Sequence, residues 1–168
     1  MTLSTITIII PTYNRPQRIR TCLESLLTLE YPPDLWDVIV VNDGGATSFD
    51  GLDDDFLALL PIQLLTIENA GPATARNHGA NQAKGELIAF TDDDCEVQSD
   101  WLSSAVDALQ SAEVQAVGGT MINAYPDSIS AETWQTYIEY LQTQLCTKDD
   151  QPLLLPSNNI IYHRATFI

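Results

Sequence analysis

β-Branched apolar runs alternate with segments of helical period along this chain, and no other feature limits its fold as severely. The run STITIII, residues 4–10, is too continuous for a half-exposed strand and predicts a central strand buried on both faces, ended by Pro11. Over residues 16–29, Ile19, Cys22, Leu23, Leu26 and Leu27 recur at helical spacing, with Pro16 tolerated in the first turn. The pattern then repeats. DVIVV (37–41), IQLLTI (62–67), ELIAF (86–90) and AVGGTMI (116–122) predict further strands, and LLLPSNNIIYHR (153–164) reads as strand or extended chain. Helices are expected within 50–60, from Pro72 towards Gly85, from Trp101 to Leu109 and over 131–145, the last with Trp134, Tyr137, Ile138, Leu141 and Leu145 inward. The helix after Pro72 would bury Ala75, Gly79, Ala80 and Ala83, residues small enough to let it sit close to a sheet.

Such alternation implies an α/β fold, a Rossmann-like and mainly parallel sheet with right-handed crossovers and helices on both faces. At 168 residues a single domain spanning 1–168 is expected, large enough to bury roughly 70% of the surface its unfolded chain exposes. In open sheets of this kind ligands bind at the C-terminal ends of the strands. The polar interruptions of this chain lie there: PTYNR after the first strand, NDGG after the second, NAGPATARN after the third and TDDD after the fourth. They are expected to converge on one crevice.

The charge balance limits what that crevice can hold. With 23 acidic and 7 basic residues the formal charge is -16, a field that repels polyanions and argues against nucleic acid. An anionic ligand would need local help, for which Arg15, Arg18, Arg20 and Arg76 are the candidates. Cys22, Cys95 and Cys146 are odd in number and lack CxxC spacing, which disfavours a disulfide framework or a zinc site and points to reduced thiols in the cytoplasm. No stretch reaches the ~18 consecutive apolar residues of a membrane span, and the N-terminus lacks a signal-peptide layout.

Asp92 and Asp94 form a DxD pattern whose spacing lets two carboxylates approach one divalent cation, Mn2+ or Mg2+, with substrate phosphates completing its shell. A solvated acidic turn is the alternative, and the position behind a buried strand favours the cation. Asp53, Asp54 and Asp55 lack that position and read as a solvated helix start. Asp43 is placed to accept from a ribose hydroxyl or a base N–H, or to cap a turn before Gly44 and Gly45. Tyr13 is placed to stack on a base or to cover the sheet edge. Arg76, one turn into its helix, suits a phosphate or an ion pair with a local carboxylate. His78 reads as a packing or hydrogen-bonding residue rather than a ligand. PTYNRP is not the GxGxxG of a dinucleotide site, and the P-loop pattern is absent. What remains is a crevice for base, phosphate and metal, suited to a nucleotide diphosphate compound.

Taken together, TIIIPTYNRP, VIVVNDGG, NAGPATARNHGANQAKGELIAFTDDDC and SNNIIYHRATF resemble the family 2 glycosyltransferases of the GT-A fold, in the family's order and over nearly the whole chain. The resemblance implies transfer of a sugar from a nucleotide-diphosphate sugar to an acceptor hydroxyl with inversion, UDP-sugar being the default donor and a saccharide or lipid-linked compound the acceptor. It assigns Pro11, Thr12, Tyr13, Asp43, Arg76, Asp92 and Asp93 to the nucleotide sugar, and Asp92 and Asp94 to the metal. Asn158 and Asn159 match a segment on the sugar and acceptor side. The family's catalytic base lies downstream of the segment matching NNIIYHRATF, so this chain is expected to be an N-terminal portion that binds donor and metal, transfers poorly, and exposes a surface open to self-association. The alternatives are a non-catalytic nucleotide-sugar-binding module and a nucleotidyltransferase that makes sugar nucleotides. The latter would need a Gly-rich turn after the first strand, which PTYNRP does not supply.

Overall fold

The computed structural model describes residues 3–112, 114–144 and 155–167; Cys146, Leu145 and the start of the expected extended stretch, 153–154, lie outside them. β1 (Ile6–Thr12) is buried at every position, as its β-branched run requires. It pairs in parallel with β2 (Trp36–Asn42) on one side and β4 (Leu87–Thr91) on the other, and β2 pairs in parallel with β3 (Ile62–Thr66). β5 (Ala116–Gly118) and β6 (Asn159–His163) complete a six-stranded sheet of order β3-β2-β1-β4-β6-β5, in which β6 runs antiparallel to both neighbours. The sheet is thus mainly parallel. Its strand order reverses between β1 and β4, and such a switch point is where an open α/β sheet forms its ligand crevice.

Successive side chains of β1 point to opposite faces, and both faces are covered. Ile8 and Ile10 pack with Ile19, Leu23 and Leu26 of α1 (Pro16–Leu26) and Leu102 and Val106 of α4 (Trp101–Ala112). On the other face Ile9 packs with Ala80, while Ile39 and Val41 pack with Ala75, both alanines belonging to α3 (Pro72–Gln82). Gly79 brings α3 down on the sheet: a Cβ at this position would stand 2.7 Å from Ile9 Cγ2. The short α2 (Asp54–Leu57) starts at Asp53, whose carboxylate accepts from Phe56 N at 2.9 Å, as the acidic run suggested.

Several boundaries differ from expectation. Pro11 does not end β1, which runs on to Thr12. The β1–β4 ladder ends at Ile9↔Phe90 whereas β1–β2 continues to Thr12↔Asn42, so the proline's missing N–H falls where β1 and β4 have already parted. α1 stops at Leu26 and leaves Leu27 exposed. β5 is cut to Ala116–Gly118 because Gly118 and Gly119 offer no side chains to a strand, and β6 begins only after Pro156. α5 (Ile129–Gln144) turns Trp134 and Tyr137 outward, at 62% and 50% exposed, rather than inward. The sheet ends at β5, which leaves this aromatic stripe no strand to cover, and the two rings pack on each other with centroids 5.8 Å apart. α6 (Arg164–Phe167) follows β6 directly.

Candidate functional site

The loops leaving β1, β2, β3 and β4 at their C-terminal ends meet around a cavity of about 450 Å³. Pro11, Thr12, Tyr13 and Arg15 line it from β1, Asp43 from β2, Asn69, Gly71, Pro72 and Arg76 from the β3–α3 passage, and Asp92, Asp93 and Asp94 from β4. Every residue that the sequence assigned to the nucleotide sugar or the metal is therefore at this wall. A larger groove of about 610 Å³ runs along α5, lined by residues such as Ile129, Tyr137 and Tyr140, and holds no arginine and no strand-end residue.

Three adjacent aspartates are tolerated here because three guanidiniums stand against them. Asp92 pairs with Arg76. Asp93, 4% exposed, accepts from Thr12 Oγ1 at 2.8 Å and from Arg15 Nη1 at 3.1 Å. Asp94 accepts from Arg18 Nη1 at 2.8 Å and from Arg15 Nη1 at 3.4 Å. Burial pushes the Asp93 carboxyl above its ordinary value, and the Thr12 and Arg15 hydrogen bonds oppose that push. Beneath the triplet, Cys22 Sγ donates to Asp92 O at 3.5 Å. Its thiol is pushed well up, first by burial and then by Cys95 and the aspartates, so it stays protonated and free.

Asp43, also 4% exposed, neither caps the Gly44–Gly45 turn nor stands open. Its carboxylate accepts from Ala70 N at 2.8 Å, Gly71 N at 2.9 Å and Asn69 Nδ2 at 3.3 Å, which fixes the entry to α3. Gly71 takes φ +91° there, a conformation that favours glycine. The turn is held by Asn42 instead, whose Oδ1 accepts from Gly45 N at 2.7 Å and from Ser48 Oγ at 2.8 Å. Ser48 Oγ in turn accepts from Asn14 N at 2.8 Å, which ties the β1 loop to the β2 loop. Tyr13, 49% exposed, is left with its ring at the cavity wall.

Not every expectation about the polar residues held. Arg20 turns away from the cavity, donates to Gly51 O at 2.7 Å and lies over the Phe56 ring, because it sits on a different side of α1 from Arg15 and Arg18. Asn159 is a structural pin: its Oδ1 accepts from Trp101 Nε1 at 2.9 Å and its Nδ2 donates to Thr120 O at 3.2 Å. Asn158 donates to Cys95 Sγ, and His78 is exposed away from the cavity lining. Sequence reasoning noticed Arg15 and Arg18 only as local positive charge and missed Asn69. The signal for the two arginines was their i,i+3 spacing at the start of a helix that leaves the first strand.

Among the described residues no three His, Cys, Asp or Glu side chains converge as a metal cage. Mg2+ and Mn2+ bound with substrate phosphates need only one or two carboxylates. Asp92 and Asp94 present hard oxygen donors at the cavity wall, with the Asp94 side chain 40% exposed, so the donor set fits such an ion. Also among the described residues, no helix is long and apolar enough to cross a membrane.

The chain matches the family model described as Glycosyl transferase family 2 over residues 7–166. Glycosyltransferase AglE of Haloferax volcanii is 30% identical over 148 residues, 81% of this chain and 46% of that protein. Among solved structures, mannosyltransferase PcManGT from Pyrobaculum calidifontis, in complex with GDP-Man and Mn2+, matches with a TM-score of 0.76 and 22% identity over 98% of this chain and 46% of its own. S. aureus TarS 1-349 in complex with UDP matches with a TM-score of 0.77 and 20% identity over 96% of this chain and 47% of its own. At such identities the likeness to the solved structures is one of fold, and that fold is GT-A. The chain spans less than half the length of each of these proteins.

Proposed function

The chain belongs to glycosyl transferase family 2, and on that premise we propose that its cavity binds a nucleotide-diphosphate sugar with a divalent cation, for transfer to an acceptor hydroxyl with inversion at the anomeric carbon. The observation that carries this reading is the convergence of four strand-end loops on one cavity at the switch point of the sheet. Tyr13 offers a ring on which a base stacks, beside Pro11 and Thr12. A carboxylate has about four acceptor positions, so Asp43 retains capacity for a base N–H after its bonds to the α3 entry. Arg76 and the N-terminus of α3 attract the diphosphate. Asp92 and Asp93 serve the ribose, and Asp92 and Asp94 hold Mn2+ or Mg2+. When bound, the cation supplies stabilisation of the negative charge that develops on the leaving diphosphate.

Asp43 suits the N–H of uracil, thymine or guanine alike. UDP-sugar stands as the default donor, and a saccharide or a lipid-linked compound is the acceptor class. Inverting transfer needs a base for the acceptor proton. Asp43, Asp92, Asp93 and Asp94 all carry hydrogen-bond or ion-pair partners, and on this reading these four serve donor and metal binding rather than as that base. The same commitment of carboxylates favours, as a second reading, a non-catalytic nucleotide-sugar-binding module. The chain works as one domain, in the cytoplasm where Cys22 and Cys95 stay reduced.

Thermal unfolding with UDP, GDP and dTDP, each with and without Mn2+, tests the proposal. A ligand at about 100 times its Kd adds about 2.7 kcal/mol, and each kcal/mol moves the midpoint by about 2–4 °C at this length. A shift that needs both nucleotide and metal and vanishes in Asp94→Ala supports the donor site, and no shift with any nucleotide rejects it. Incubation with sugar nucleotide and acceptor then separates transfer from binding alone.

A further inference from the structure

We propose that Arg15 and Arg18 are exchange partners of Asp94: they hold its carboxylate in the ligand-free chain and release it to a divalent cation when a diphosphate takes up the guanidiniums. The inference rests on the donor-site reading above and adds two residues to it.

Arg15 and Arg18 lie three positions apart at the start of α1 and reach the same carboxylate, at 3.4 Å and 2.8 Å. Both contacts run through Nη1 alone, and the two side chains are 52% and 55% exposed. Single-pronged ion pairs so open to water are weak and easily exchanged. The Arg76–Asp92 pair differs, because the Arg76 side chain is only 14% exposed. The contacts on Asp94 are therefore the most exposed of the cluster and the most readily traded, while Arg15 also donates from Nη1 to the buried Asp93 at 3.1 Å.

Charge decides when the trade is favourable. Asp92, Asp93 and Asp94 are balanced by Arg15, Arg18 and Arg76. A divalent cation reaching Asp94 alone would add two positive charges to that balanced group and would compete with two guanidiniums already in place. A cation arriving with a diphosphate adds little net charge, and the anion offers Arg15 and Arg18 oxygens that match a guanidinium better than a shared carboxylate edge. Metal and diphosphate should therefore bind with strong mutual dependence, and these arginines are the residues that create it.

Calorimetric titration of the chain with Mn2+ alone, and with UDP, GDP and dTDP in saturating Mn2+, tests this in wild type, Arg18→Gln and Arg15→Gln, with Arg20→Gln as the control on the same helix. Removing one exposed contact is expected to tighten Mn2+ alone by about two- to fivefold and to weaken the diphosphate by a similar factor. Those opposite signs are the signature, since a merely structural role would weaken both. Constants that move together, or do not move, in Arg18→Gln and Arg15→Gln overturn the inference while leaving the donor site standing. A wild-type chain that binds none of UDP, GDP and dTDP in Mn2+ rejects the donor-site reading, and this inference with it.

Discussion

Thr12 Oγ1 donates to Asp93 Oδ2 at 2.8 Å across the place where β1 and β4 part, and both side chains are buried. This bond closes the floor of the cavity and holds the middle aspartate between its two more exposed neighbours. Thr12→Val keeps the shape and removes the donor, leaving a buried carboxylate short of a partner at a cost of about 1–3 kcal/mol. Thr12→Ser should recover most of that loss. Urea midpoints of the three proteins check it, and a valine variant as stable as wild type would show that Arg15 suffices.

The pH dependence of stability follows from Asp93. Burial raises its carboxyl in the fold, so between the unfolded and folded values the native state binds more proton than the unfolded chain. Stability on this account is greatest below the ordinary carboxylate value, falls as pH rises through the folded value, and is flat above it. Asp93→Asn removes the group, and the stability profile of wild type minus that of the variant should show this fall as pH rises above the ordinary carboxylate value. A difference profile that is flat or rises with pH there contradicts the assignment.

Asp43 connects β2 to the entry of α3 through the amides of Ala70 and Gly71. Asp43→Ala leaves both donors without their acceptor and should cost about 1–3 kcal/mol. Hydrogen exchange locates the effect: the Ala70 and Gly71 amides should exchange faster while the β1 amides are unchanged. Asp43→Asn retains an acceptor oxygen and is expected to lie between the two.

Gly79 tests how closely α3 lies on the sheet. Alanine in a helix interior ordinarily stabilises by about 0.5–1 kcal/mol over glycine. Here the added methyl would stand 2.7 Å from Ile9 Cγ2, on a fully buried and β-branched side chain with little rotameric freedom. Overpacking of about 1–3 kcal/mol wins, so Gly79→Ala should destabilise. A stabilised variant would mean that α3 can lift from Ile9 without loss.

Much of the fold is legible in the order of residues. The run from Ile6 to Ile10 has no polar alternation, and only a strand covered on both faces accepts that. The small face of α3, Ala75, Gly79 and Ala80, announces a close helix–sheet contact before any coordinates exist. The stripe Trp134–Tyr137 misled, because periodicity reports that a helix has an apolar face and says nothing of whether an element lies opposite it. The place of β6 was likewise illegible: NIIYH reads as a strand, but its insertion between β4 and β5, antiparallel to both, is a pairing choice made by the whole sheet.

The same division runs through the cavity. Local sequence determined that Pro11, Asp43, Arg76 and the Asp92–Asp94 triplet would lie at strand ends or helix starts, since a buried strand expels carboxylates to its ends and an α/β alternation points those ends one way. Only the tertiary structure decided which charge meets which. Thr12 and Arg15 reach Asp93 across 81 and 78 positions, and Arg18 reaches Asp94 across 76. No local propensity couples residues so far apart. Their pairing is set by α1 packing against β1 and by the separation of β1 and β4 beyond Ile9, and those contacts exist only once the core has closed.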